Sequence, residues 1–495
     1  MVIESHLPIL QIVVPLAAAP LCVLLRQKTV VWVFALIVSW TTLAIAITIL
    51  MRVLDQGTLS YALGSWPAPW GIEIRIDAVN AYILLLVSII GAVVLLYAPS
   101  SVTEEIPADS HHLFYSAYLL CLTGLLGITA TGDAFNLFVF LEISSLSSYA
   151  LISLGKDRRA LTAAYQYLVL GTIGATFILI GIGFMYMMTG TLNMADLAVQ
   201  LESVKNTRTV ITAFAFFSVG VSLKLALFPL HLWLPNAYAF APSVVTAFLA
   251  ATATKVSIYV LLRFIFTVFG TDFAFETMML DAVLLPLALI GILVGSTVAV
   301  FQNNIKRMLA YSSVAQIGYM ILGISFFSLT GLTGGIVHLF NHALMKGALF
   351  LVMGGVAMRI GSVNLNDMRG LGKRMPVTMA AFVIGGLSLI GVPLTVGFIS
   401  KWYLVLAAIE QGMWPVAVLI LLGSLIAVIY IWRVIEVAYF QEVQPGDERE
   451  IKELPLTMQI AIWLLIGGTI IFGIFTPLTL GVAKKAAALL LGVLP

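Results

Sequence analysis

The chain is predicted to be an all-α polytopic membrane protein of about 14 transmembrane helices, and three observations predict it. Of its 495 residues 61% are hydrophobic and 10% charged, whereas a soluble globular chain carries about 25% charged residues. Apolar runs long enough to cross roughly 30 Å of hydrocarbon, about 20 residues each, follow one another with little between them. The few ionisable residues inside those runs gather where prolines interrupt them. The mean hydropathy of +1.08 agrees with this reading.

In chain order the runs fall near residues 7–25, 29–51, 78–98, 113–131, 134–154, 161–188, 209–229, 242–268, 279–301, 307–327, 331–358, 377–400, 413–440 and 457–478. The N-terminus lacks the basic region of a signal peptide, so the first run is expected to remain a helix. After the second run, Ile72, Ile74 and Ile76 alternate with Glu73, Arg75 and Asp77 behind a Pro/Gly-rich centre. That period of two predicts a small β-hairpin on the outer surface. The loop from Gln441 to Leu454 is acidic and holds a proline, which suggests a solvated loop or a partner contact.

Lysines and arginines are divided 14 to 7 between the two sets of loops. The rule that basic residues stay on the cytoplasmic side then puts both termini outside, in the cytoplasmic membrane of a prokaryote. The remaining four basic residues, Lys224, Lys255, Lys346 and Lys401, lie at membrane depth, and Glu142 is the acid deepest in a run. Even low estimates put a central lysine at roughly 2.5 to 3.5 kcal/mol, so such groups are expected to line an ion path and not to face lipid.

The net charge of +2 gives no reason to expect a nucleic-acid partner. Cys22 and Cys121 stand alone in apolar runs, so neither an iron–sulfur cluster nor a structural zinc is expected. With no dinucleotide or P-loop pattern either, no cofactor is expected. Any redox centre would sit on another subunit.

Four groups of residues could move protons. Glu142, in the fifth run, needs a cationic partner to stay ionised in hydrocarbon, and Lys224 is the candidate; the alternative is a purely structural ion pair. Lys224 and His231 flank Pro229 in the seventh run. Lys255 lies about 20 Å along its helix from Pro242 at roughly 1.5 Å per residue, deeper than a lysine snorkelling to the near interface. His338, His342 and Lys346 follow one another at i, i+4 and i+8. They drift about 80° around a helix over roughly 12 Å, which makes one polar stripe suited to a proton wire or to hydrogen bonding between helices. Lys401 follows Pro393 and Gly397 in the twelfth run, or snorkels from its outer end.

The seventh and twelfth runs are thus five helices apart, each broken and each with a lysine. An odd separation reverses membrane orientation, so spans 4–8 and 9–13 are expected to form two inverted five-helix repeats. The corresponding parts are residues 1–112, an N-terminal segment; 113–268 and 269–440, two proton half-channels; and 441–495, the last loop and helix.

The segments F-V-F-L-E ending at Glu142, L-K-L-A-L-F-P-L-H-L-W-L-P-N-A, A-T-K-V-S-I-Y, K-R-M-L-A-Y-S-S-V-A-Q-I-G-Y, H-L-F-N-H-A-L-M-K-G-A-L-F-L, D-M-R-G-L-G-K-R-M-P and G-F-I-S-K-W identify a family resemblance. The chain resembles the antiporter-like subunits of the complex I superfamily, and among them the D-type subunits of Mrp multisubunit Na+/H+ antiporters, helped by G-S-W-P-A-P-W-G-I before the third span. The stretch L-E-I-S-S-L-S-S-Y is also similar to subunits of hydrogenase-type complexes. With little chain after the last span, the lateral helix of the largest members is not expected here. The resemblance implies a proton axis through Glu142, Lys224, Lys255, His342 and Lys401, a bilayer setting and other membrane subunits as partners, one of them expected to handle sodium. The functional expectations are an antiporter subunit, a pumping subunit of a complex I-like oxidoreductase or membrane-bound hydrogenase and, from a different class, a non-transporting scaffold.

Overall fold

A computed structural model describes residues 2–443 and 450–493. A short turn, α1 (Val2–Ser5), precedes α2 (Leu7–Leu24) and α3 (Lys28–Gln56). The hairpin β1 (Leu59–Ala62) and β2 (Glu73–Ile76) leads into α4 (Ala78–Glu105), followed by α5 (His111–Ala130), α6 (Ala134–Ser153) and α7 (Arg158–Thr189). The surface helix α8 (Met194–Leu201) joins α7 to α9 (Arg208–Leu225), α10 (Trp233–Phe240) and α11 (Ser243–Arg263). Next come α12 (Leu280–Val300), α13 (Ile305–Ser325), α14 (Leu329–Ile360), the four-residue α15 (Leu371–Arg374), α16 (Pro376–Ile390) and α17 (Val396–Glu410). The described chain closes with α18 (Trp414–Phe440), α19 (Leu456–Ile474) and α20 (Pro477–Leu490).

Thirteen of these helices, extended in places by short turns, are long and apolar enough to cross a membrane, and each matches one predicted run. The remaining run, the twelfth at 377–400, is divided between α16 and α17, 15 residues each. At 1.5 Å per residue each covers only about 22 Å. Both predicted breaks are present. α9 stops at Leu225, Ala226 takes a left-handed φ of 60°, and Pro229 has no amide with which to continue the helix. α16 stops at Gly391, whose φ of 96° suits a residue without Cβ, and Pro393 follows.

Because successive spans alternate in direction, one face carries the start of α2, the hairpin, α8 and α20; the other carries the starts of α5, α7, α11 and α16. They are called the near and far faces here. The hairpin pairs Leu59 with Ile76 and Tyr61 with Ile74. Ile74 and Ile76 are buried and Arg75 is exposed, as the alternation predicts, but Ile72 is exposed, Asp77 is buried, and so is Glu73. Its carboxylate accepts hydrogen bonds from Ser60 Oγ (2.5 Å) and Asn193 Nδ2 (3.0 Å), which tie the hairpin to the loop between α7 and α8.

The duplication is visible in the loops. Asp133, before α6, bridges Asn193, just past α7; Asn304, before α13, bridges Asn364, just past α14. In each copy the same two backbone bonds form: Ala134 N to Leu192 O and Met194 N to Gly132 O, against Ile305 N to Val363 O and Leu365 N to Asn303 O, all 2.8 Å. α7 and α14 are both 32 residues long and both end on a left-handed glycine, Gly190 and Gly361. The pairs of loops lie on opposite faces, which is the inversion expected of spans 4–8 against 9–13.

α14 runs through the middle of the molecule, and every residue from Gly331 to Val356 is buried. Peripheral helices instead keep an apolar outer face: Val418, Leu421, Leu425, Ile429 and Trp432 on α18 are exposed at helical spacing, as a lipid-facing stripe requires. Small residues set the close helix pairs. A Cβ on Gly220 of α9 would lie 2.6 Å from the Gly174 carbonyl oxygen of α7. Of the loop 441–454, residues 444–449 lie outside the described residues. Glu453 is engaged with α16, accepting from the amide of Val377 at 2.7 Å and the hydroxyl of Thr378 at 2.5 Å.

Candidate functional site

The first break creates an electrostatic site. α9 ends one residue after Lys224, so the ammonium sits in the last turn, beside carbonyls that have no helical partner and at the negative end of the helix dipole. Lys224 is buried. Its Nζ donates to Ser145 Oγ at 2.8 Å and lies 3.9 Å from Glu142 Oε1. Glu142 and Ser145 lie three residues apart on α6, so both face α9. Among the described residues Glu142 is the only carboxylate within ion-pair distance of any of the four membrane-depth lysines. Its side chain is 26% exposed against 4% for that of Lys224, so one partner opens outward and the other is enclosed.

Behind the pair lies a cavity of about 20 Å³ lined by Ser144, Ser145, Ser148, Tyr167, Lys224 and Ser257 among others. That is room for one water between α6, α9 and α11. Lys255 stands on the same helix as Ser257. It is wholly buried, and its ammonium donates to the Ala250 carbonyl and to Thr254 Oγ1 (3.3 Å).

From α11 the row passes to α14. His338, His342 and Lys346 form the predicted stripe, and all three are wholly buried. Their situations differ. His338 is held at both ring nitrogens, with Nδ1 2.7 Å from Ser400 Oγ and Nε2 2.9 Å from Gln316 Oε1. Lys346 donates to the Leu309 carbonyl at 2.7 Å and to Ser312 Oγ. His342 has no protein partner at either nitrogen among the described residues. Its ring stacks 6.1 Å from that of His338, and Lys255, Lys346 and Lys401 are all within its electrostatic reach.

The second break holds Lys401. Its Nζ donates to the carbonyls of Leu389 (3.0 Å) and Ile390 (2.9 Å), the last two residues of α16, and to Ser424 Oγ (2.9 Å). It also lies 4.9 Å from the ring centre of Tyr319. Lys224 precedes its break and Lys401 follows its own, so the two lysines are not at matching chain positions. Their ammonium groups nonetheless occupy the same electrostatic place, the C-terminal end of the first half-helix.

His231 lies apart from this row, in the turn between α9 and α10. It stacks on Phe228 and approaches Tyr311 of α13 at 6.4 Å between ring centres, and its Nδ1 has no partner among the described residues. The site also uses residues that the sequence does not single out: Ser145, Gln316, Tyr319, Ser400 and Ser424. The serines and the glutamine are common residue types, and only the spacing of Ser145 from Glu142 is a signal. Arg263, near the end of the eighth apolar run and one of the seven basic residues expected on the outer side, is buried in α11 and forms an ion pair with Asp77 at 2.9 Å. The segment after it continues as a wide helical turn, so a charge at the end of an apolar run is still inside the fold.

Known proteins share this architecture. The family model described as NADH:quinone oxidoreductase/Mrp antiporter, TM, matches residues 131–427, which hold every residue of the row. A protein of Desulforudis audaxviator named NADH-quinone oxidoreductase subunit N is 43% identical over 485 residues, covering 95% of this chain and 96% of its own. The D-type subunit of the Na(+)/H(+) antiporter of Alkalihalophilus pseudofirmus is 31% identical, covering 94% of each chain. A chain from the structure of the Mrp complex from Dietzia sp. superposes with a TM-score of 0.91 at 26% identity, covering 99% of this chain and 98% of that one.

Proposed function

This chain belongs to the NADH:quinone oxidoreductase/Mrp antiporter family of membrane proteins, and from that premise we propose that it is the proton-translocating membrane subunit of a multisubunit monovalent cation/proton antiporter. The observation that carries the reading is the Glu142–Lys224 pair, 3.9 Å apart at the end of a half-helix, joined by buried titratable groups to Lys401 at the second half-helix end.

The chemistry is proton transfer along side chains and water. A proton reaching the partly exposed Glu142 removes the negative charge opposite Lys224. The ammonium is then held only by Ser145 and the end of α9, and can pass its proton into the one-water cavity toward Lys255. His342, free at both nitrogens, accepts on one and releases from the other. His338, fixed by Gln316 and Ser400, sets the position of that neighbouring ring, and Lys346 branches from the same stripe. Lys401 receives the proton at carbonyls that hold it facing the other half-channel. His231 stands outside this relay, in the break that lets α9 end where it does. Residues 113–268 and 269–440 would each supply one half-channel, with both termini outside. Sodium would be handled by a partner subunit within the assembly.

A second reading is favoured by the 43% identity to a protein named as an oxidoreductase subunit: the same proton path driven by electron transfer in partner subunits. Co-expression with the neighbouring genes in cells lacking their own Na+/H+ antiporters, with proton movement followed in everted vesicles, tests both. Sodium-dependent proton release supports the antiporter. Proton uptake that needs an electron donor and no sodium supports the redox pump. Full activity of assembled Glu142→Ala and Lys224→Ala complexes would leave this chain a scaffold.

A further inference from the structure

The row of titratable groups starts at Glu142 and ends at Lys401, yet Lys346 points away from both, toward the far face. Following α14 in that direction at steps of four, the stripe of His338, His342 and Lys346 continues through Phe350 to Gly354. Gly354 is where a second buried polar cluster touches α14. A Cβ there would lie 2.7 Å from the Tyr97 hydroxyl oxygen and 2.8 Å from Ser243 Oγ, so the glycine makes room for that cluster.

The cluster is a hydrogen-bonded chain across three helix ends. Glu105, the last residue of α4, accepts from the Ser243 amide at 2.8 Å and Ser243 Oγ at 3.0 Å, and from Ser101 Oγ at 2.8 Å. Lys306, in the first turn of α13, donates to the same Ser243 Oγ at 2.7 Å. The serine hydroxyl therefore stands between carboxylate and ammonium, donating to one and accepting from the other. Lys306 is buried and Glu105 is half-buried at the far face. Other ionisable groups beside this cluster include the Tyr97 hydroxyl, buried without a partner among the described residues, buried His111, whose Nε2 lies 3.2 Å from the carbonyl of Ile106, the residue after Glu105, and Lys156, whose ammonium is taken by the Glu104 carbonyl. One turn further along α13, the Leu309 carbonyl and Ser312 hydroxyl hold Lys346. The gap between cluster and stripe is filled by Phe350, wholly buried, its ring 5.9 Å from Lys346 Nζ and 5.9 Å from the Tyr238 ring.

We propose that Glu105, Ser243 and Lys306 form a far-face proton port to the buried row, with Phe350 as the dry step that separates this port from Lys346. This rests on the reading of the row as a proton path. Once the Lys306 ammonium has passed its own proton on and is a neutral amine, a proton taken by Glu105 from the far side moves through the Ser243 hydroxyl, which turns to give up its own proton to that amine as it receives another. It crosses to Lys346 only when the Phe350 ring swings aside. A packed ring without polar atoms blocks proton hopping while it is in place, which keeps the port from short-circuiting the row.

The test uses the whole complex, purified and reconstituted in vesicles of known orientation, with proton flux read by a trapped pH dye. Glu105→Gln, Ser243→Ala and Lys306→Gln are each expected to lower flux at least tenfold and to remove its dependence on far-side pH, while Glu105→Asp retains it. Phe350→Ala is expected to raise passive proton leak severalfold in the absence of a driving ion. A structural role would alter assembly but not the sided pH dependence. Wild-type flux and pH dependence in both Ser243→Ala and Glu105→Gln, beside a Lys224→Ala whose flux is strongly lowered, would overturn the port and leave the row standing. Wild-type flux in Lys224→Ala as well would remove the row on which the port depends.

Discussion

Glu142→Gln separates a pair that works as a unit from two groups that merely lie close. At 3.9 Å, two unit charges in surroundings with an effective dielectric near 20 attract by about 4 kcal/mol. Removing one partner of a buried pair costs about 3 to 5 kcal/mol, because the other charge is left without its counterpart. Lys224 keeps Ser145 at 2.8 Å, a neutral acceptor worth about 1.5 to 3 kcal/mol to a charged donor. A net coupling of about 1 to 3 kcal/mol therefore remains, equivalent to about a tenfold to hundredfold effect. Proton flux should fall by that factor in Glu142→Gln and in Lys224→Gln, and the double variant should be no slower than the worse single one. The measurement is a double-mutant cycle on initial flux in vesicles holding equal amounts of assembled complex. Strict additivity of the two singles would refute the pair as a unit, since independent groups multiply their effects.

Lys401→Met leaves the Leu389 and Ile390 carbonyls without their donor and should abolish flux. Lys401→Arg keeps the charge but cannot release a proton, so it should assemble normally and be equally inactive, as vesicle flux and size-exclusion chromatography would show. Arg263→Met strands Asp77 in a buried site where both side chains are 8% exposed, and should destabilise the complex by about 3 to 5 kcal/mol, read as a lower midpoint in detergent thermal unfolding. On the far face, hydrogen bonds from Arg159 hold the Asp157 carboxyl below its usual range. Its contribution is thus complete above the unfolded value of about 3.9 and is lost only as pH falls through the lower folded one. Asp157→Ala should cost about 0.5 to 2 kcal/mol through its lost cap on the Arg159 amide, with no change in pH dependence between about pH 6 and 8, well above both values.

Most of the fold could be read from the sequence because a bilayer leaves a hydrophobic helix little choice. Run length and proline position therefore placed thirteen helices and both breaks to within a few residues. The pairing of Glu142 with Lys224 was legible for a related reason: an isolated acid at that depth needs a cation. What could not be read was rotation and register between helices. Lys401 looks like Lys224 in sequence, and only packing shows that it reaches back across its break to the carbonyls of α16. His338 and His342 are one helical turn apart, yet one is fixed at both nitrogens and the other at neither, a difference decided by residues on α13 and α17. Arg263, Glu105 and Lys306 stand at or near the ends of apolar runs, where hydropathy falls before the fold does, so sequence does not distinguish them from loop charges. The duplication did leave a local trace, G-T-L-N-M-A-D-L at Gly190–Leu197 against G-S-V-N-L-N-D-M at Gly361–Met368, placed by the structure on opposite faces.

That inversion explains how two lysines at unmatched positions can serve one path. α9 runs from the near face to its break, so its negative end points toward the far face; α16 runs from the far face, and its negative end points toward the near one. A cation is held at each end for the same reason, orphan carbonyls and an aligned dipole, whichever side of the break supplies the lysine. Turning the half-helix over reverses the side to which its cation is presented. A single kind of site, repeated upside down, thus yields two holding points that look toward opposite faces, and α14 between them carries the groups that join the two. The arrangement requires the ammonium at the helix end more than it requires either chain position. Moving the lysine from 401 to 388, in the last turn of α16 as Lys224 is in the last turn of α9, should therefore restore part of the flux lost in Lys401→Ser, whereas a lysine placed at exposed Trp402 should restore none.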